Sequence, residues 1–276
     1  MNAGLQFDEE AARRVEAMYA TPDVIAQRQA VLRMLRLGPG ERVLDIGAGP
    51  GFLACEMGRA VGRSGRVRGI DVSESFVVMA RSRYPEQPWV EFRAGDAVRL
   101  PFGEAEFDVG VSTQVYEYVS DVRAALAELH RVLRPGGRAV IVDTDWDSIV
   151  WHSSDHARME RILTAWNEHL VDPHLPRTLS ARLQEAGFVV EQREVIPPLS
   201  PERDSNTNSY GLIGLIARFV VCRQGISQEE ADAWADDLRA SGDARPYFFS
   251  LNRYLFSATK ATTGLRPRQD SASQAG

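Results

Sequence analysis

The nine residues Val43-Leu44-Asp45-Ile46-Gly47-Ala48-Gly49-Pro50-Gly51 constrain the fold of this chain more than any other stretch. An apolar run ends in a turn dense with glycine, and residues 52–61 beyond it have the spacing of a helix. Without Cβ atoms the backbone can bend sharply and let a ligand lie against it. Twenty residues past Gly51, a second apolar run ends in Gly69-Ile70-Asp71. A carboxylate at the end of the second strand of such a unit can accept hydrogen bonds from both hydroxyls of a ribose.

Strands and helices keep alternating after this unit. Strands are expected at 42–46, 67–70, 90–94, 107–112, 138–143, 189–195 and 247–259. Helices are expected at 8–37, 52–61, 75–83, 121–133, 153–170, 179–186, 210–221 and 228–240. In the first of these, Thr21 can cap and Pro22 suits a first helical turn. The alternation implies an α/β chain, with a parallel sheet covered by helices on both faces. No repeat or linker divides it. Residues 1–260 read as one domain, with an N-terminal helical lid at 1–37 and helical insertions at 145–177 and 198–245. Residues 261–276 are small and polar and are expected to form a disordered tail.

Apolar residues make up 44% of the 276, ample for a sizeable core. The net charge of −6 argues against a nucleic-acid partner held by a broad basic face. The longest apolar stretch, 210–222, is broken by Arg218 and falls short of the ~20 residues of a bilayer span, so no membrane partner is expected. The first ten residues lack a signal pattern, which favours a cytoplasmic location. Two cysteines, Cys55 and Cys222, are too few for a disulfide framework, and both are expected as buried thiols.

A glycine turn alone suits two cofactor classes. The dinucleotide pattern G-x-G-x-x-G requires glycine at position 52, where Phe52 stands. Asp45, on the strand side, would repel a pyrophosphate and attract a sulfonium or amino group. S-adenosylmethionine (SAM) therefore fits better than a nicotinamide dinucleotide.

The motifs that follow, in order, resemble those of the class I SAM-dependent methyltransferases, nearest the ubiquinone/menaquinone-biosynthesis branch. The resemblance is carried by the 43–51 turn, Gly69-Ile70-Asp71-Val72-Ser73, Gly95-Asp96-Ala97 with Leu100-Pro101-Phe102, Phe107-Asp108-Val109 with Thr113-Gln114-Val115-Tyr116-Glu117-Tyr118-Val119, and Leu133-Arg134-Pro135-Gly136-Gly137-Arg138. It covers residues 37–143 well and later segments loosely. It implies a Rossmann-like, seven-stranded, mostly parallel sheet whose last strand runs antiparallel, with helical lid insertions. It also implies that Asp71 holds the ribose, that Val72 packs on the adenine, and that Asp96 and the Ala97 backbone bond the adenine edge. Gly47, Ala48 and Gly49 would lie against the methionine part, with Gln114 near it, and Asp45 would serve the same end or brace the turn.

The family's active-site end often reads Leu-Glu-His-Val, where this chain has Tyr116-Glu117-Tyr118-Val119. Tyr118 replaces a histidine, and a phenol with a pKa of about 10 orients better than it accepts protons. The replacement also removes a possible metal ligand, and no metal is expected. Candidate catalytic groups come instead from Asp143-Thr144-Asp145-Trp146-Asp147-Ser148-Ile149-Val150-Trp151-His152. There Trp146 and Trp151 could make a flat wall for an aromatic or conjugated acceptor, with His152 or Asp145 as base. At the N-terminus, Tyr19 could close over the cofactor and Arg28 could pair with its carboxylate.

The expected activity is methyl transfer to a small molecule, with oxygen favoured over nitrogen or carbon as acceptor atom and a homodimer compatible with the long insertions. An NAD(P)-linked oxidoreductase and a non-catalytic SAM-binding protein are the alternatives.

Overall fold

Val43, Leu44, Asp45 and Ile46 are all buried, the signature of a strand covered on both faces. In the computed structural model, which describes residues 16–83, 85–241 and 246–262, this strand, β1 (Arg42–Ile46), lies within one continuous sheet. Strands β2 (Arg66–Asp71), β3 (Val90–Ala94), β4 (Phe107–Thr113) and β5 (Leu133–Trp151) run parallel to it or to each other. Strands β6 (Phe188–Ile196), β7 (Leu199–Ser200) and β8 (Phe249–Lys260) complete the sheet. The order is β3-β2-β1-β4-β5-β8-β6, with β7 pairing to β8, and β8 is antiparallel to β5 and β6. The expected seven strands and antiparallel last strand are present, and the two-residue β7 is an eighth. Strand order reverses between β1 and β4, so a crevice opens beyond their carboxyl ends.

Two apolar layers flank the sheet. Helices α1 (Pro22–Leu35), α2 (Phe52–Val61) and α3 (Glu74–Arg83) bury Val31, Leu35, Leu53, Met57 and Val77 against Val43, Val67, Val109 and Val140. On the opposite face, α4 (Val122–Val132) and α5 (Pro176–Glu185, after the insertion helix described next) bury Leu126, Leu129, Leu179 and Leu183 against Leu44, Ile46 and Ile141. Asp121 caps α4 by accepting from the Ala124 N–H at 2.9 Å.

A third cluster stands at the end of β5. The insertion helix (His156–Trp166) and the pair at Asn208–Val220 and Gln228–Ala240 surround Trp146, Trp151, Trp166 and Trp234. Asp155 caps the insertion helix through the Arg158 N–H, and Ser227 caps the last helix through the Glu230 N–H.

Four expectations need correction. The helix expected at 8–37 is interrupted at Ala20 and Thr21. The Thr21 hydroxyl donates back to the Met18 carbonyl at 2.7 Å instead of capping α1. Residues 8–15 lie outside the described residues. Helix α1 packs Val31 and Leu35 into the core against the sheet, and Tyr19 just before it lines the crevice. Second, β5 does not end at Asp143. It pairs with β8 through Asp145, skips at a bulge, and pairs again at Val150 and Trp151. The acids at 143, 145 and 147 hide this extension from pattern reading. Third, the 153–170 helix shortens to His156–Trp166 followed by a single 3₁₀ turn, Asn167–His169. Fourth, Cys55 is buried as expected, but Cys222 is exposed in the turn after Asn208–Val220, with φ of 65°. Of the tail, residues 263–276 lie outside the described residues. Among the described residues no helix is long and apolar enough to cross a membrane.

Candidate active site

The glycine turn sits where β1 ends and α2 begins, so its backbone faces the crevice. Gly47 has φ of 71°, and a Cβ there would stand 2.2 Å from Val115 Cγ2. Gly49 has φ of 51°, and a Cβ there would meet nothing within 4 Å. One glycine is demanded by close packing, while the other keeps a space open. Asp71, at the end of β2, accepts from the Gly49 N–H at 2.9 Å and from the Ser73 N–H at 2.8 Å. Burial raises its pKa, opposed by these backbone donors and that of Val72. Beside it, Val72 is 77% exposed at the cavity lip, an apolar face without cover.

A cavity of about 650 Å³ joins these groups. Its wall includes Tyr19, Gly47, Gly49, Asp71, Val72, Asp96, Ala97 and Gln114, eight of the residues expected at the cofactor. The Asp96 carboxylate accepts from the Val98 N–H at 3.1 Å, which shapes the turn after β3. Gln114, just past β4, has φ of 57°, a rare conformation for a side-chain-bearing residue. It is held there by its own N–H donating to the Val142 carbonyl at 2.7 Å and by the Thr144 hydroxyl donating to its Oε1 at 2.5 Å.

Asp45 and Ala48 stand behind the turn, not in the cavity wall. Asp45 is 1% exposed, and its Oδ2 has no hydrogen-bond partner among the described residues. Burial, then the nearby Asp71, pushes its pKa up to about 7. Two more carboxyls are buried nearby, Glu117 in the 3₁₀ turn after β4 and Asp143 within β5. Asp143 Oδ1 accepts from the Val115 N–H at 3.1 Å, and Glu117 Oε2 accepts from the Thr144 N–H at 3.1 Å and from Trp146 Nε1 at 3.3 Å. Burial raises both, Glu117 to about 7. Arg253 is a cation buried close to them, and its guanidinium donates to Gln27 Oε1.

Three expected residues lie elsewhere. Arg28 does not reach the cavity. Its Nη1 donates to the Tyr19 carbonyl at 2.5 Å, its Nε meets Glu56 at 3.2 Å, and its plane covers Phe52 at 4.9 Å. It therefore holds the Tyr19 turn onto α2. Asp145 is clamped by Arg177 through two bonds of 2.8 Å, with His174 Nδ1 at 3.4 Å. Burial works to raise its pKa, but the Arg177 hydrogen bonds and charge leave it lowered, and both of its oxygens are engaged by Arg177 or His174. His152 is exposed at the far end of β5, with its N–H bonded to the Phe248 carbonyl, because the strand extension carries it past the crevice.

The tryptophan wall is also corrected. Trp146 and Trp151 are both buried, and Trp151 donates to the Tyr247 hydroxyl at 3.2 Å. Asp145, Asp147 and His174 bring possible metal-ligating atoms within 4.8 Å of one another, but Arg177 already bridges the two carboxylates.

His169 carries no distinctive pattern in the sequence. It closes the 3₁₀ turn after the insertion helix, lines the same cavity as the glycine turn together with Val171 and Tyr118, and is 3% exposed. Its segment is pinned in place by the Val171 and Asp172 N–H groups, which both donate to the Glu117 carbonyl at 3.0 Å. The only local signal is the run Trp166-Asn167-Glu168-His169, whose significance depends on contacts distant in sequence.

A fold of this strand order, with an acid-tipped second strand and an open glycine turn at its switch point, defines a nucleoside-binding α/β protein. A methyltransferase-domain family matches residues 44–141. The chain is 34% identical over 247 residues to an uncharacterized 37.1 kDa protein in transposon Tn4556 of Streptomyces fradiae, covering 87% of this chain and 68% of that one. It is 33% identical to the O-methyltransferase cnsE of Penicillium expansum, over 64% of this chain and 65% of the relative. It is 37% identical to a 2-phytyl-1,4-naphtoquinone methyltransferase of Thermosynechococcus vestitus, over 42% of this chain and 52% of the relative. The chain thus spans about half the length of the quinone methyltransferase it matches. Among solved structures, phosphoethanolamine N-methyltransferase 2 of Haemonchus contortus, in complex with SAM, shares the fold with a TM-score of 0.60 and 20% identity, covering 93% of this chain and 58% of that one. The chain belongs to the class I SAM-dependent methyltransferases.

The residues present fit SAM. Gly49 leaves room against the backbone, Asp45 offers an unpartnered buried carboxyl behind the turn, and Val72 presents an uncovered apolar face next to the Asp71 carboxylate.

Proposed function

We propose that this protein transfers a methyl group from SAM to a small-molecule acceptor that is aromatic or conjugated, at an oxygen atom. The observation that carries this reading is the continuous cavity of about 650 Å³, with cofactor-type groups on one wall and Tyr118, His169 and Val171 on the other. The Penicillium relative, an O-methyltransferase, supports an oxygen acceptor, and the Thermosynechococcus relative, a naphtoquinone methyltransferase, supports a flat ring. The net charge of −6 supports a small metabolite over a nucleic acid, in the cytoplasm.

When bound, the cofactor supplies an electrophilic methyl group on a positively charged sulfur. The protein's task is to place a nucleophile in line with it and to exclude water. Gly47 and Gly49 would admit the methionine portion against the backbone. Asp71 would accept the ribose hydroxyls. Val72 would cover one face of the adenine, while Asp96 and the Ala97 N–H would meet its polar edge. Gln114 is fixed in one orientation by Val142 and Thr144 and lines the methyl-donor end. The Asp45 and Glu117 carboxyls, each with a pKa pushed up to about 7, would favour a cation when ionised over the neutral demethylated product. Tyr118 borders the cavity, where a phenol of ordinary pKa of about 10 would serve to orient the acceptor.

Calorimetric titration with SAM and with S-adenosylhomocysteine (SAH), followed by a methyl-transfer screen over hydroxylated aromatic compounds, tests this. Binding of both, with SAH release dependent on a hydroxylated ring, is the expected result. Absence of SAM and SAH binding by folded protein would overturn it.

A further inference from the structure

A buried polar atom without a partner costs free energy unless a ligand or a water satisfies it. His169 Nε2 is one: it has no hydrogen-bond partner among the described residues. The other ring nitrogen fixes its chemistry. Nδ1 lies against the Trp166 carbonyl, which can only accept, so Nδ1 carries the proton and Nε2 holds a bare lone pair. Burial pushes the His169 pKa down to about 4, so the ring is neutral at physiological pH.

The ring is rigidly placed. Trp166 stacks on it at 3.7 Å between centroids, and Trp146, Phe219 and Tyr118 meet it edge-on at 5.2, 5.8 and 5.8 Å. The Trp146 N–H is committed to Glu117. Trp146, Trp166 and Phe219 thus pack around His169 within the protein, and the residue borders the cavity beside Tyr118. The cavity is the space from which a group could approach Nε2, and such a group must be a proton donor.

We propose that His169 Nε2 binds the hydroxyl of the methyl acceptor and takes its proton during transfer, which makes the acceptor a hydroxyl-bearing ring compound. The inference rests on the methyltransferase reading above and narrows its substrate class. The acceptor oxygen forms the new C–O bond with a lone pair. The S–C bond breaks, with its electrons staying on sulfur. The O–H proton passes to Nε2, and the imidazolium later returns it to water. While charged, the ring keeps its Nδ1–H bond to Trp166 and lies one indole away from the Glu117 carboxyl. A weakly basic imidazole suits this role, because the hydroxyl becomes strongly acidic only as the methyl arrives.

The test uses the full chain saturated with SAH and two probe pairs: phenol against benzene, and 2-naphthol against naphthalene. In ¹⁵N spectra of the histidine rings, the His169 Nε2 resonance should move on adding a hydroxylated probe and stay still with its hydrocarbon. Wild-type protein should prefer at least one hydroxylated probe by roughly tenfold, and His169→Phe should bind both members of a pair equally. His169→Phe should still bind SAM within about twofold of wild type. An unmoved resonance, or an equal preference in His169→Phe, overturns the proposal while leaving the methyltransferase reading intact. Failure to bind SAH at all would instead overturn that reading. The wild-type spectra decide the matter even if the variant folds poorly.

Discussion

Asp45 does not line the cavity, yet its carboxyl lies directly behind the glycine turn that does. Its pKa of about 7, raised by burial and then by Asp71, means that the folded protein keeps a proton that the unfolded chain loses near pH 4. The contribution of this group to stability therefore falls as pH rises from about 4 to about 7 and is flat above that. Asp45→Asn removes the dependence. Between pH 5 and pH 8 the variant should gain ~3 kcal/mol relative to wild type, read from urea midpoints. Bound SAM reverses the effect, since a cation favours the ionised carboxyl. Wild-type affinity for SAM should tighten from pH 6 to pH 8, while that of Asp45→Asn should be weaker and level. Equal pH slopes in the two proteins would separate Asp45 from cofactor binding.

Single elements divide the work of the site into packing and binding. In the β1–α2 turn, Gly47→Ala places a Cβ on Val115 at positive φ, and should cost ~2 kcal/mol of stability, visible as a lower Tm. Gly49→Ala meets no atom in the protein, so it should cost less stability but weaken SAM binding at least tenfold by filling the open space. In the turn before α1, Arg28 ties Tyr19 to α2 through three different contacts. Arg28→Lys cannot reproduce them, and amide exchange at residues 16–21 should quicken, with SAM affinity falling several-fold.

The contrast between these elements and β5 explains what the sequence makes legible. The glycine turn, Asp71 and the Asp96-Ala97 turn are written locally, where a short stretch fixes both backbone and chemistry. Eight of the expected cofactor residues come together for that reason. The extension of β5 depends on β8, more than a hundred residues later, and its acids mimic a loop. His152 was therefore placed at the crevice when the strand carries it past. His169 was missed because its meaning arises only when Glu117 pins its segment and four aromatic rings surround it.

At the scale of the molecule, the chain has two working halves joined at one cavity. The sheet and its two apolar layers carry the glycine turn, Asp71, Val72 and the Asp96 turn. The separate tryptophan-rich cluster at the end of β5 carries His169 and the wall that faces them. Damage to each half should therefore have a distinct signature. Trp166 is nearly wholly buried in that cluster and stacks on His169. Trp166→Leu removes the stacking plane and leaves a void, costing ~3 kcal/mol and lowering the Tm. The Trp166 carbonyl survives the substitution, but the imidazole gains freedom to tilt, and geometry at the acceptor is lost. Measured well below its melting point, the variant should bind SAM within about twofold of wild type and release SAH from a hydroxylated acceptor at least tenfold more slowly. A matched loss of SAM affinity would mean that the two halves do not act separately, and that the tryptophan cluster supports the cofactor wall as well as the acceptor wall.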